Sequence, residues 1–286
     1  MEYQTTLLVD GLKFPESPRW HTNRLWFSDY ATRQIKSTDL AGNVHVVWEA
    51  EDLPTALAWT PDGHMLFVAA NQRRLLRLEA NGPVTVADLS GMVAHACGEI
   101  VVDQQGRAYV GNLGFDFGSE PPDPAPGSIL LITPDGNAQI VATGLAFPNG
   151  MAITPDGQTL LVAESYAARL SAFAIADDGS LGPRRTWAQF DDTLSFADGR
   201  FTPDGLCLDS TGAVWVAALQ EVLRIQEGGT VTERITLATF ALACMLGGPA
   251  RCTLFVLTTS SLNPADPTAN GCIEYTEVAH PGAGWP

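Results

Sequence analysis

Basic side chains are scarce in this chain: 16 lysines and arginines face 32 aspartates and glutamates, for a formal net charge of -16. That balance argues against nucleic acid or an anionic membrane as the partner and leaves a small-molecule substrate as the expectation. Met1-Glu2-Tyr3-Gln4-Thr5-Thr6 lacks a basic start and an apolar leader core, and nowhere do about 18 apolar residues run together. The reading is a cytoplasmic protein with no membrane association. Cysteine is sparse, an odd five at positions 97, 207, 244, 252 and 272 with no CxxC pair. Nothing there suggests zinc or dithiol chemistry, and reduced, mostly buried thiols are expected. No glycine-rich nucleotide or phosphate motif is present, so a redox or kinase role has no support.

What is present is repetition. Short apolar runs of strand composition recur at Leu25-Trp26-Phe27, Leu66-Phe67-Val68, Ala108-Tyr109-Val110, Leu160-Leu161-Val162, Val214-Trp215-Val216 and Leu254-Phe255-Val256, with centres 40 to 54 residues apart. A period of that size marks propeller blades of four strands. Turns such as Thr60-Pro61-Asp62-Gly63, Asp103-Gln104-Gln105-Gly106, Thr154-Pro155-Asp156-Gly157 and Asp209-Ser210-Thr211-Gly212 precede the runs, with glycine supplying the positive φ of a tight hairpin. Candidate strands follow, as in Arg74–Leu78 then Val84–Ala87. The sixth repeat contains three strands, ending near Ile273-Glu274-Tyr275-Thr276. Thr6–Leu12 reads like the outer strand Ile140–Leu145, so the N-terminal strand is expected to close the ring. The fold expectation is all-β, a six-bladed β-propeller of four-stranded blades forming a single domain over residues 1–286.

In a propeller the first strand of each blade lines the central channel, so one repeat position in different blades converges on one point. Counting back from the turn glycines gives Thr55, Gly98, Asn149 and Asp204, and matching Trp20 to Trp59 gives Glu16. Four of the five follow a proline, in Phe14-Pro15-Glu16, Leu53-Pro54-Thr55, Phe147-Pro148-Asn149 and Thr202-Pro203-Asp204. Two carboxylates and a carboxamide aimed at one axis repel or stay unsatisfied unless a cation holds them. Hard oxygen donors of this kind suit calcium. Taken singly, each is an ordinary turn residue. Their shared slot is what singles them out.

At these positions the chain resembles the senescence marker protein 30 (regucalcin) and gluconolactonase family of calcium-dependent lactonases. The segments that carry the resemblance are Phe14-Pro15-Glu16-Ser17-Pro18-Arg19-Trp20, Phe147-Pro148-Asn149-Gly150-Met151-Ala152 and Pro203-Asp204-Gly205-Leu206-Cys207-Leu208-Asp209. The resemblance implies Glu16, Asn149 and Asp204 as metal ligands, and Asp204 also as general base or nucleophile. Calcium would polarise a carbonyl while Asp204 activates water or attacks directly. Zinc, manganese and magnesium are the alternative ions. One departure stands out: the family usually places Asn-Asp ahead of the third inner strand, where this chain reads Cys97-Gly98-Glu99. Gly98 has no side chain to offer. Glu99, whose equivalents are all small, is a second acid/base candidate.

Residues just after the apolar runs are expected around the pocket mouth: Asp29, Tyr30, Asn71, Asn112, Glu164, Tyr166 and Gln220. Asn112 and Glu164 are the preferred substrate contacts, with His95 as a nearby proton carrier. The Pro-rich insertion Phe115–Gly127 reads as a lid, and Phe190–Phe201, with Phe196 and Phe201, as another wall. The leading function is metal-dependent opening of a lactone, with sugar lactones favoured. The alternatives are a phosphotriesterase-type hydrolase on the same site and a non-catalytic, calcium-stabilised binding propeller.

Overall fold

Turn chemistry sets the strand boundaries. In the computed structural model, which describes residues 3–116, 125–190 and 202–284, Gly63, Gly106, Gly157 and Gly212 all hold φ between +71° and +88°. A side chain would be strained there, and each glycine closes a hairpin between two short apolar strands.

The described residues form 22 strands. β1 (Thr6–Leu12) comes first. β2 (Pro15–His21), β3 (Arg24–Asp29), β4 (Gln34–Thr38) and β5 (Val44–Glu49) make one antiparallel sheet. β6 (Pro54–Trp59), β7 (Met65–Ala69), β8 (Arg74–Glu79) and β9 (Gly82–Asp88) make the next. The third contains β10 (Cys97–Val102), β11 (Ala108–Asn112), β12 (Gly127–Ile132) and β13 (Ala138–Leu145). The fourth contains β14 (Pro148–Ile153), β15 (Thr159–Glu164), β16 (Arg169–Ala174) and β17 (Arg185–Gln189). The last five strands are β18 (Pro203–Leu208), β19 (Val214–Ile225), β20 (Val231–Gly247), β21 (Thr253–Thr259) and β22 (Gly271–Glu277). Helical structure among the described residues is limited to two 3-10 turns, Tyr30–Thr32 and Ser165–Ala167. No helix there is long and apolar enough to cross a membrane.

The propeller is all-β with four-stranded blades, but the expectation of six blades is corrected: the structure has five. Four are four-stranded, and the fifth is one six-stranded sheet in the order β1-β22-β21-β20-β19-β18. The runs Val214–Val216 and Leu254–Val256, expected in separate blades, lie in that one sheet on β19 and β21. The cause is strand length. β19 and β20 are 12 and 17 residues long, and the pair Leu219↔Ala241 joins them where a break between blades was expected. β1 lies antiparallel on β22, with Thr6 opposite Tyr275.

The strands β2, β6, β10, β14 and β18, together with β20 from within the fifth sheet, stand around a common axis. β2 packs on β6, β6 on β10, β10 on β14, β14 on β18, β18 on β20, and β20 back on β2. Apolar side chains between adjacent sheets form the core, with Trp215, Tyr109, Phe27, Phe67 and Phe255 among the fully buried. Close approach at the axis depends on glycine. A Cβ at Gly150 would stand 2.4 Å from the Asp204 carbonyl oxygen, and one at Gly205 would stand 2.4 Å from the Ala243 Cβ. The Pro-Asn-Gly and Pro-Asp-Gly sequences thus let β14, β18 and β20 meet, which carries Asn149 and Asp204 toward one point.

Candidate active site

Every inner strand breaks register where its polar residue stands. The pairing shifts between Glu16 and Arg19 on β2, Pro54 and Ala56 on β6, and Cys97 and Glu99 on β10. It shifts again between Pro148 and Met151 on β14 and between Pro203 and Leu206 on β18. A bulge bends the strand and re-aims a side chain that the ladder would otherwise turn outward. Proline, unable to donate to a ladder, sits at or just before four of these shifts, where its missing N–H does least harm. Ser17 adds strain, holding φ at +49° while its Oγ accepts the Leu57 N–H at 2.9 Å.

The outcome is a cavity of about 220 Å³ with Glu16, Thr55, Gly98, Glu99, Asn149 and Asp204 in its lining. All five positions found by counting back from turns and tryptophans converge there, together with Glu99. Burial raises the Asp204 carboxyl well above the usual carboxylate range, and the charges of Glu16 and Glu99 push the same way. Glu16 is pushed up to about 8 by burial and by Glu99. Asp204 accepts hydrogen bonds from the Gly205 N–H and the Asn149 amide. Its Oδ1 is buried without a partner. The Asn149 Nδ2 also lies 3.3 Å from the Ser165 Oγ.

Glu99 is 7 % exposed and rests on a cation. Its Oε1 accepts from the Arg19 Nη2 at 3.0 Å and from the Ile100 N–H at 2.8 Å. Arg19 also donates to the Ile100 and Pro18 carbonyls. Burial still holds the Glu99 carboxyl above its ordinary range against the pull of Arg19. Arg19 itself lines a second cavity, of about 260 Å³, with Met151, Leu206, Met245 and Arg251 at the other end of these strands. The Arg19–Glu99 pair therefore forms a floor between the two.

Several residues expected at the mouth have other work. Glu164 is fully buried. It accepts from Arg169 Nε at 2.9 Å, from Ser171 and from the Ala146 N–H at 2.8 Å. Those bonds hold its carboxyl below the usual range although burial works to raise it. Asp29 is fully buried too, accepting from Lys36 and from the Phe14 N–H. The Asn112 Nδ2 donates to the His95 and Ala96 carbonyls at 2.6 and 3.0 Å. All three latch the segment leading into a first strand, and none lines the cavity. His95 also stands outside it, as do Asn71 and Gln220, whereas Tyr30 and Tyr166 do line it. Phe115 is buried and packs against Phe147 and Tyr166 at 5.8 and 5.6 Å. Residues 117–124 of the expected lid, and Phe196 and Phe201 of the expected wall, lie outside the described residues. All five cysteines are free, with Cys97, Cys207 and Cys244 buried.

Counting back located the polar column but missed the apolar wall, which includes Phe14, Leu113, Phe147, Leu242 and Leu262. A signal existed for two of these: Phe14 and Phe147 each directly precede the proline before a column residue.

The donor set fits a hard divalent cation. An orphaned carboxylate oxygen and repelling buried carboxylates are what a bound cation would relieve. Among the described residues, no three His, Cys, Asp or Glu side chains gather closely enough to hold an ion by themselves. The Asn149 amide has to complete any ion site built on Glu16 and Asp204.

Residues 14–260 match the family model described as the SMP-30/Gluconolactonase/LRE-like region. A curated relative, pentonolactonase XacC of Haloferax volcanii, is 24% identical over 262 residues, covering 88% of this chain and 84% of its own. A gluconolactonase of Xanthomonas campestris superposes with TM-score 0.76 at 24% identity, over 98% of this chain and 89% of its own. A calcium-binding protein, regucalcin, of Agrobacterium tumefaciens superposes with TM-score 0.77 at 18% identity, over 98% and 97%. At these identities the two structures speak to fold alone.

Proposed function

The chain belongs to the SMP-30/gluconolactonase/LRE-like family, and from that premise we propose that it is a hydrolase opening a lactone at a calcium ion held by Glu16, Asn149 and Asp204. The observation that carries this reading is the buried Asp204 Oδ1, which has no hydrogen-bond partner at the floor of a cavity shared with Glu16 and Glu99. Calcium bound there supplies positive charge to the substrate carbonyl oxygen. Pentonolactonase activity in a relative supports the lactone as substrate class.

The protein's own groups supply the rest. Asp204 takes a proton from the attacking water as the new C–O bond forms at the carbonyl carbon, and it returns that proton to the ring oxygen as the ring C–O bond breaks. The product is a hydroxy acid, with no net proton retained by the protein. Without an ion, burial and two neighbouring carboxylates raise the Asp204 carboxyl; a bound cation would oppose that shift and keep Asp204 ionised to accept the proton. Asn149 orients it through the amide hydrogen bond. Glu99, fixed by Arg19 and the Ile100 N–H, enters the reaction through its charge beneath Asp204.

The test is lactone hydrolysis by metal-stripped protein, with and without added calcium, beside the Asp204→Asn variant and with one phosphotriester in the panel. Turnover restored by calcium and reduced about 10²–10⁴-fold in the variant is expected. Equal turnover in the variant, or in the presence of chelator, would sink the proposal. Preference for the phosphotriester would move it to phosphorus.

A further inference from the structure

Among the described residues, the wall above the acidic floor is largely apolar. Phe14, Leu113, Phe147, Leu219, Leu242 and Leu262 line the cavity. Among the described lining residues there is no arginine, lysine, histidine or glutamine, and Asn149 is the only carboxamide. Two of the lining hydroxyls are committed to backbone: Thr55 Oγ1 donates to the Cys97 carbonyl at 3.0 Å, and Ser165 Oγ donates to the Pro203 carbonyl at 2.7 Å. Aromatic rings complete the rim, with Phe147 stacked on Tyr166 at 4.9 Å and Phe14 tilted against Tyr30 at 5.8 Å.

Backbone strain shows that part of this surface is held in place. Phe147 and Leu219 keep φ at +60° and +53°, a left-handed conformation that bulky side chains rarely adopt and that persists only where surrounding structure enforces it. Leu262, 41 % exposed, stands in the same lining. Gly98 contributes no side chain to the lining. A Cβ built there would stand 3.3 Å from Leu113 Cδ2, so a larger residue would have to displace Leu113.

We propose that the substrate is a lactone bearing an alkyl or aryl substituent, seated against this wall, and not a polyhydroxylated sugar lactone. The inference rests on the lactone reading above and departs from the sequence-based preference for sugar lactones. A sugar lactone would turn several hydroxyls toward the leucine and phenylalanine side chains of this wall, and each buried hydroxyl left unmatched costs roughly tenfold or more in affinity. An alkyl chain gains about fourfold per methylene removed from water.

Three lactones with one ring size separate the cases: δ-valerolactone without a substituent, δ-decalactone with an alkyl tail, and glucono-δ-lactone. For calcium-loaded protein, kcat/KM for δ-decalactone should exceed that for δ-valerolactone by about tenfold or more, with glucono-δ-lactone the poorest. Glucono-δ-lactone equal to or better than δ-decalactone overturns the inference while leaving the hydrolase reading intact. Binding is read without turnover as the melting temperature of Asp204→Asn protein with each lactone. If nothing is hydrolysed but δ-decalactone alone stabilises, the hydrolase reading falls and the substrate inference stands. If δ-decalactone neither turns over nor stabilises, the inference falls. Leu113→Asn should lower the δ-decalactone to δ-valerolactone ratio by about tenfold, with a native melting transition; an unchanged ratio removes Leu113 from the binding wall.

Discussion

Replacing Arg19 by methionine tests the electrostatic floor of the site. Arg19 is 6 % exposed, and its guanidinium is bound to a carboxylate that is equally buried. Methionine keeps the apolar stem but deletes the hydrogen bonds to Glu99, Ile100 and Pro18. Removing one partner of a buried ion pair costs about 3–5 kcal/mol, because the other charge is left without compensation. At about 2–4 °C per kcal/mol for a chain of this general size, the melting temperature should fall by roughly 6–20 °C. The double variant Arg19→Met/Glu99→Leu removes both charges and should recover to within about 1–2 kcal/mol of wild type. Urea unfolding of metal-free protein measures all three. A further signature comes from pH. Burial already holds the Glu99 carboxyl above its ordinary value, and losing Arg19 raises it further. A raised folded-state pKa contributes stability that is present below the unfolded pKa and lost as pH rises through the folded one. The deficit of Arg19→Met should therefore be smaller at pH 5 than at pH 8. Single and double variants equally destabilised, or a deficit indifferent to pH, would refute the reasoning.

The same sign governs the metal-free protein, because Glu16 is pushed up to about 8 and Asp204 well above its ordinary value. Stability of chelated protein should fall by ~2–4 kcal/mol between pH 5 and pH 8, and calcium should raise the melting temperature more at pH 8 than at pH 5; a calcium shift independent of pH would contradict this. Glu164→Gln should act on stability and not on substrate affinity, losing about 2–3 kcal/mol as Arg169 gives up its buried partner. Urea unfolding and KM measured on the same preparation check it, and a raised KM with unchanged stability would return Glu164 to the mouth of the pocket.

The column residues were legible because propeller geometry turns sequence period into spatial coincidence. Glu16, Asn149 and Asp204 are far apart in the chain, yet each follows a proline, and counting back from a turn glycine or matching Trp20 to Trp59 gives them one repeat position. The mouth was less legible. Asp29, Asn112 and Glu164 stand at the ends of second strands, and period-2 alternation cannot say whether a terminal polar side chain enters the channel or folds back onto its own sheet. The answer depended on partners on the neighbouring strand, such as Lys36 for Asp29 and Arg169 for Glu164, whose side chains meet the carboxylate only once the hairpin has closed.

From the sequence alone came the strand runs, the hairpin glycines, the polar column and its acidity, because each depends on local backbone chemistry and a repeated interval. Only the tertiary structure decided how the sheets join, since the Leu219↔Ala241 pair depends on two long strands bending together. It also decided that Glu99 stands on Arg19 and that the described wall above the acids is largely apolar. Those outcomes belong to side chains brought together by ring closure, and no window along the chain contains both partners of such a contact.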